Sequence, residues 1–149
     1  IQGNRIGVAF NGAEIRNGGH GIQLNNASDT VIGGAVAARG NVIARNSGRG
    51  ITLLNITSQR NLFRANLIFA NVNIGIDLFN NGRTLNDPGD ADTGPNGFQN
   101  FPELTGVITE AAATQVMGTF NGAASETFTL EFFASREADP TGFGEGEQF

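Results

Sequence analysis

The chain has 149 residues, about the size of a single domain, and a net charge of -5. It has no Cys, so disulfides, zinc-thiolate sites and thiol catalysis are excluded. One His and no Lys or Tyr leave very few general bases near neutral pH. The acidic balance and the lack of an aromatic, basic surface argue against nucleic-acid binding. No apolar run approaches a membrane span and no basic-then-apolar leader opens the sequence, so we expect neither membrane insertion nor a signal peptide in these residues.

Charge divides the sequence into unlike halves. Residues 1–79 hold seven Arg and three acids, a net charge of +4, whereas residues 80–149 hold two Arg and eleven acids, a net charge of -9. Gly, Pro, Asp and Asn cluster between the halves. The sequence therefore predicts repeats in residues 1–85, an acidic Gly/Pro loop that plugs the repeats in residues 86–102, and an antiparallel β segment in residues 103–149.

A repeat runs through the first half. The landmarks of residues 41–53 recur 25 positions later in residues 66–78, and an earlier copy, with eight extra residues inside it, spans residues 4–24. Apolar residues alternate in each copy, as in Ile51-Thr-Leu53, and a period of two is typical of strands. Strands this short need stacking, so we predict an all-β fold in which equivalent strands stack in parallel as a β-solenoid of about three rungs.

Asparagine occupies three fixed columns of this repeat. Asn tolerates the left-handed backbone of a tight corner, and stacked amides can hydrogen-bond from one rung to the next. The alternative is that Asn merely marks loops. The predicted ladders are Asn4, Asn41 and Asn66; Asn17, Asn46 and Asn71; and Asn26, Asn55 and Asn80.

Several of these segments resemble a known family. The stretches GNRIG, VIGG, RGNVIARN and GITL are similar to the right-handed parallel β-helix repeats of large bacterial surface and secreted proteins. NDPGDADTGPNGFQNFPEL and TFTLEFFAS resemble the segment that ends such repeats. The resemblance implies a right-handed parallel β-helix, a sandwich-like β cap and an extracellular or bacterial cell-surface location. It does not imply one activity, because this fold hosts enzymes, adhesins and fibres.

Outward positions of the repeat carry the candidate ligand-binding residues. Arginine forks suit carboxylates, so the outward columns predict a strip for an acidic glycan, or else a solvated face that only supplies solubility. His20 is a candidate general base, or else a turn residue. The candidate residues are Arg16, His20, Arg45, Arg49 and Asp77.

The acidic loop is a candidate calcium site. Asp87, Asp90, Asp92 and Asn96 offer oxygen ligands on a chain that Gly and Pro allow to bend. Their spacing does not match an EF-hand. The alternative is a turn with exposed acids.

The last part predicts three antiparallel strands, at 104–109, 115–120 and 127–134, which dock on the repeats or pair with another chain. The candidate plugs of the lowest rung are Phe98, Phe101, Pro102 and Leu104. The first residues fall inside a repeat, so we expect self-association or neighbouring domains at both ends of the repeats.

These features favour a non-enzymatic extracellular module with a structural or adhesive role, which self-assembles end to end into a fibre. The alternative is a β-helix that binds or cleaves acidic polysaccharides through its Arg columns. A third interpretation is an inactive piece of a giant surface protein.

Overall fold

The computed structural model describes residues 1–143 and 145–149. In these residues the chain is all-β, with two short 3₁₀ turns at Ala37–Arg39 and Pro95–Phe98. None of the described helical turns has the length and hydropathy needed to cross a bilayer. The strands are β1 (Arg5–Ile6), β2 (Ile22–Asn25), β3 (Val31–Gly33), β4 (Val42–Ala44), β5 (Ile51–Leu54), β6 (Leu62–Arg64), β7 (Leu67–Phe69), β8 (Ile76–Asp77), β9 (Glu103–Thr109) and β10 (Thr114–Thr119).

The first eight strands visit three parallel sheets in turn. The sheet orders are β1-β4-β7, β2-β5-β8 and β3-β6, so the first two passes of the chain add one strand to each sheet in the same order, and the third pass adds β7 and β8. The register pairs equivalent repeat positions: Ile22, Ile51 and Ile76 are aligned across the second sheet. The predicted parallel stacking of equivalent strands is therefore present in all three sheets.

One apolar core joins the three sheets. Its buried members come from all of them, since alternation along each strand turns every second side chain inward. They are Ile22, Leu24, Ile32, Ile43, Ile51, Leu53 and Ile68. Strands of two to four residues cannot be stable alone, so this shared core is what keeps them in place.

The two ends of the stack differ. We call the side of β1, β2 and β3 the upper end, and the side of β6, β7 and β8 the lower end. At the upper end the amine of Ile1 donates to Val31 O at 2.8 Å and Gly33 N–H donates to Ile1 O at 2.7 Å, so the first residue covers the edge of β3.

At the lower end, later residues cover part of the stack. Gly146 bridges to Ile68 of β7 and Gln148 bridges to Ala134, both antiparallel. We call Ala134 and residues 145–148 the C-terminal strap. Of the predicted plugs, Phe98 packs edge-on against Phe79 with ring centroids 5.8 Å apart, whereas Phe101 and Leu104 lie exposed.

The antiparallel part is smaller than predicted. β9 and β10 form an antiparallel hairpin, but the segment 127–134 forms no strand and only Ala134 makes a bridge. Its side chains attach it instead. The Phe128 ring meets Phe120 at 4.8 Å, and Glu131 accepts hydrogen bonds from Arg64 and from the backbone N–H of Ala65. The Phe128 ring therefore attaches the segment to the end of the hairpin, and Glu131 attaches it to the parallel sheets, without strand pairing to either.

Close rung-to-rung contact predicts an unequal response of two matched glycines. Gly33 and Gly12 both have φ of +83°, but a Cβ on Gly33 would lie 1.8 Å from Arg64 O, whereas nothing lies near one on Gly12. Gly12→Ala should cost about 1 kcal/mol of backbone strain, and Gly33→Ala should cost at least about 2 kcal/mol more because the rungs are forced apart. Urea unfolding of both variants measures the difference. Equal losses would contradict the close stacking of β3 on β6.

Candidate functional site

Two of the predicted asparagine columns carry direct amide-to-amide hydrogen bonds. In the first, Asn4 Nδ2 donates to Asn41 Oδ1 at 3.0 Å, and Asn41 Nδ2 donates to Asn66 Oδ1 at 2.8 Å. The backbone N–H of Asn41 donates to the same Asn66 oxygen at 3.1 Å. Each carboxamide oxygen therefore takes two donors from the rung above it.

The second column repeats this geometry at the carboxyl ends of β4 and β7, whereas the first column lies at the amino ends of these strands. Asn17 Nδ2 donates to Asn46 Oδ1 at 2.8 Å, and Asn46 Nδ2 donates to Asn71 Oδ1 at 2.9 Å. Asn46 N–H also reaches Asn71 Oδ1, at 3.1 Å. Asn46 is fully buried, as is Asn41 in the first column. Buried amides with all groups paired can fix the corners of the chain without a desolvation penalty.

The third predicted column behaves differently. Asn26, Asn55 and Asn80 all have positive φ, between 50° and 68°, so they serve as left-handed corner residues. Their side chains are exposed, and within the described residues no hydrogen bond joins one to another. Asn55 bonds instead to Asn25, and Asn26 accepts from Thr57. Water satisfies an exposed amide, so nothing forces these side chains into a ladder.

A further amide column was not predicted. Thr30 N–H donates to Asn61 Oδ1 at 3.0 Å, Asn61 N–H donates to Asn96 Oδ1 at 2.9 Å, and Asn96 Nδ2 returns to Asn61 O at 2.7 Å. Asn96 thus belongs to the corner below β6. Its carboxamide oxygen, which was the predicted metal ligand, is occupied by the donors of Asn61. The only sequence signal for this column was an Asn immediately before the apolar pair Leu62-Phe63.

Carboxylates accept hydrogen bonds at the lower end of the stack. Glu131 accepts from Arg64 Nε at 2.5 Å and from Ala65 N–H at 2.7 Å. Glu145 Oε1 accepts from Asn71 Nδ2 at 3.2 Å. The second ladder therefore ends on an acidic acceptor, whereas the last amide of the first ladder, Asn66, donates its Nδ2 hydrogen to Ile32 O at 2.9 Å.

Glu145 is the most perturbed of these acids. The pKa of Glu145 is raised to about 7, mainly by burial; the hydrogen bond from Asn71 acts in the opposite direction, and the carboxylate of Asp139 contributes to the rise. Asp139 itself has a lowered pKa: burial would raise it, but the side-chain and backbone donors of Thr141 prevail.

The predicted outward strip is only partly exposed. Gln23, Thr52 and Asp77 are aligned in register, but only Gln23 is exposed, while Thr52 and Asp77 are buried. The Asp77 carboxylate accepts from the N–H groups of the following turn, with Gly82 N at 2.8 Å, and forms an ion pair with Arg49. Burial works to raise the pKa of Asp77, but these donors lower it overall. Asp77 therefore closes a turn and is not available to a ligand.

His20 lies above the same ion pair. Its Nδ1 accepts the backbone N–H of Arg49 at 3.1 Å. Burial lowers the pKa of His20, and the charge of Arg49 adds to this, so the ring is neutral at neutral pH. A neutral imidazole whose Nδ1 accepts a hydrogen bond carries its proton on Nε2. No free lone pair remains for a general base.

The other arginines of the strip are divided between pairing and exposure. Arg16 pairs with Glu14 at 2.5 Å, both side chains lying in solvent. The hydrogen bond from Arg16 lowers the pKa of Glu14. Arg45 is exposed and, among the described residues, forms no ion pair. Of the three predicted glycan-binding arginines, one therefore keeps a free guanidinium.

The acidic loop brings three carboxylates together. Oxygens of Asp87, Asp90 and Asp92 lie within 4.8 Å of one another. Buried Asn100 organises them: its N–H donates to Asp90 Oδ1 at 2.7 Å, and its Oδ1 accepts Asp87 N–H at 3.0 Å. Asp87 Oδ1 is buried without a hydrogen-bond partner. Burial, with the charges of Asp87 and Asp90, raises the pKa of Asp92. This arrangement is short of positive charge.

Comparison with known proteins identifies no relative. No protein-family model, no curated protein and no solved structure matches the chain. The functional argument therefore depends on the geometry of these residues.

The buried ladder predicts position-dependent losses within one column. Asn46→Ala removes the carboxamide inside the stack, which deprives Asn71 Oδ1 of its side-chain donor and Asn17 Nδ2 of its acceptor, so it should lower the free energy of unfolding by about 2–4 kcal/mol. Asn17→Ala, at the exposed upper end of the same column, should cost less than about 1 kcal/mol. Urea unfolding compares the two. Similar losses would mean that the amide bonds are not what stabilises the corners.

Proposed function

We propose that this chain is a non-enzymatic structural or adhesive module, built as a right-handed parallel β-helix of about three rungs. The observation that carries the proposal is the set of buried amide ladders, which join successive corners of the chain. Three sheets that are visited in a fixed order, share one core and are bridged at their corners are the arrangement expected of a solenoid. The resemblance to bacterial surface and secreted repeat proteins supports an extracellular or cell-surface location.

The chemistry of the charged residues supports a non-catalytic role. His20 has no free lone pair, Asp77 is consumed by backbone donors and by Arg49, and Arg16 is paired with Glu14. A general acid or base needs a titratable group that can reach a substrate. These groups instead hold corners and turns, which is the use of polar residues expected in a scaffold.

The sheet β2-β5-β8 supports self-assembly. Both of its outer strands, β2 at the upper end and β8 at the lower end, have an unpaired edge within the described residues. Ile76 of β8 is 41% exposed although its equivalents Ile22 and Ile51 are buried. A second copy that places its β2 under β8 would continue both the ladder and the apolar column. Such head-to-tail contacts need not close, so they build a fibre.

Light scattering of the purified chain tests this assembly. The mass should rise with concentration above the 15.6 kDa of one chain. Ile22 N–H donates to Gly50 O, so Gln23 N–H points to the opposite, unpaired edge. Gln23→Pro should therefore remove the assembly without unfolding the chain, and the matched control Gln23→Thr should retain it. A monomer at all concentrations would overturn the self-assembly.

The alternative function, binding or cleavage of an acidic polysaccharide, has weaker support because, within the described part of the chain, Arg45 alone of the three predicted arginines keeps a free guanidinium. Assays of the same purified chain distinguish this function from the scaffold role. Turnover or tight binding of a polyuronate that Arg45→Ala abolishes would overturn the scaffold proposal.

We also propose that calcium binds the acidic loop through Asp87, Asp90 and Asp92. The supporting observation is the buried, unpartnered Oδ1 of Asp87 beside two further carboxylates. Calcium prefers several carboxylate oxygens on a flexible loop, and a divalent charge would relieve their repulsion. Asn96 takes no part, because Asn61 occupies its oxygen.

Millimolar calcium should raise the melting temperature by roughly 3–6 °C, because a ligand that binds only the folded state stabilises it. EDTA should reverse the change. Asp87→Asn should abolish the response, whereas Glu126→Gln, an exposed acid outside the loop, should leave it intact. A melting temperature that does not respond to calcium would refute the site.

A further inference from the structure

We infer that the C-terminal strap is a proton-operated latch, which covers the β7 edge while Glu145 is protonated and releases that edge when Glu145 ionises. This inference concerns the lower end of the stack, a part of the molecule that the proposed scaffold role does not explain.

The strap occupies the place of a missing rung. Gly146 exchanges both backbone hydrogen bonds with Ile68 of β7, at 3.0 and 2.7 Å. Glu145, immediately before it, accepts from Asn71 Nδ2, the last amide of the second ladder. Gly146 is buried, and a Cβ there would collide with the Phe133 side chain. The strap therefore closes one sheet and one ladder at the same time.

Few contacts hold the strap apart from Glu145. Ser135 Oγ donates to Glu145 O at 2.7 Å, and Gln148 pairs with Ala134. Both partners belong to the C-terminal segment itself. Among the described residues, residues 145–148 are attached directly to the parallel sheets by one backbone pair and by the Glu145 side chain, while Ala134 is attached indirectly, through Glu131.

Glu145 lies near a second acid, Asp139, and the charge of Asp139 favours the protonated form of Glu145. Asp139 Oδ1 accepts from Thr141 N–H at 2.8 Å, and the donors of Thr141 favour the ionised form of Asp139. Of the two acids, Glu145 is therefore the one that holds a proton. Asn71, Ala70, Gly75 and Ser135 also face Glu145, and none of them carries a charge. Among the described residues, no cation is in place to neutralise an ionised Glu145.

The sign of the pH effect follows from these contacts. The pKa of Glu145 is raised from 4.5 in the released segment to about 7 in the closed one. The closed strap therefore binds the proton more tightly than the released segment does. The stability that this proton gives to the closed strap is fully present below pH 4.5. It declines as pH rises and is lost as pH passes about 7, where Glu145 ionises beside Asp139.

Release would expose the edge of β7 and the donors of Asn71. The upper end of the stack offers the matching groups, since β1 begins beside Asn4 and the second ladder begins at exposed Asn17. A second copy would thus continue the first sheet only after the latch opens. This consequence rests on the proposed self-assembly, whereas the latch itself does not.

Hydrogen exchange of the full 149-residue chain between pH 5 and 8 tests the latch. After correction for the intrinsic pH dependence of exchange, protection of the Gly146 and Ile68 amides should fall on the order of a hundredfold. Protection of the Ile51 amide, which bonds to Gly75 inside the stack, should stay constant and report that the core remains folded.

Substitutions assign the effect to the carboxyl pair. Glu145→Gln keeps an acceptor for Asn71 and a donor for Asp139 at every pH, so its Gly146 protection should not change with pH. Asp139→Asn removes the repulsion and should reduce the change. Glu147→Gln, a neighbouring acid, should behave like the unmodified chain. Constant protection in the unmodified chain, or an equal loss in Glu145→Gln, would overturn the latch.

Light scattering on the same samples separates this inference from the proposed function. Loss of Gly146 protection without any rise in mass would support the latch and contradict assembly at the lower end. A rise in mass with pH that Glu145→Gln prevents would support both.

Discussion

The corner amide is the interaction on which the rest of this structure depends. The strands have only two to four residues in the parallel sheets, so most of the backbone lies in corners where no regular ladder supplies hydrogen bonds. A carboxamide has both a donor and an acceptor, and it can satisfy an N–H in the rung above while it bonds to the next amide. Leaving such a buried group unpaired costs about 1–3 kcal/mol, so each buried Asn determines where the chain turns. The positions of the corners set the register of the strands, and the apolar side chains pack together in that register.

A ladder with one direction gives its two ends different chemistry. Each amide oxygen accepts from above, so the second ladder ends on the Nδ2 donor of Asn71, and the chain supplies Glu145 as its acceptor. The Arg64–Glu131 pair joins the positive first half to the negative second half, while the other ion pairs of the described residues lie within the first half. Two acids of the second half, Glu131 and Glu145, thus accept hydrogen bonds at the lower end of the stack.

The sequence predicts this fold well where its repeat is regular. The 25-residue shift between the second and third copies placed Asn41 over Asn66 and Asn46 over Asn71, and both pairs are bonded. Spacing alone could not separate buried amides from exposed ones, so Asn26 and Asn55 looked equivalent to them although solvent removes any need for a bond. The Asn61–Asn96 column was hidden because its two members are 35 residues apart, with the acidic loop between them. The segment 127–134 alternates like a strand, but its Glu131 is bound to the parallel sheets, and no local pattern reveals such a long-range anchor.

The same hydrogen bonds limit which side chains are available to a ligand or substrate. Most polar groups that a catalyst would use are already engaged by the fold: the amides in ladders, His20 with Arg49, and Asp77 with its turn. The groups that remain free include two unpaired strand edges in one sheet, three converging carboxylates, and the guanidinium of Arg45. Edges can pair with other strands, and clustered acids can bind cations. These groups support the proposal that copies of the chain join under the control of ions, because the free edges lie where a second copy would continue the sheet.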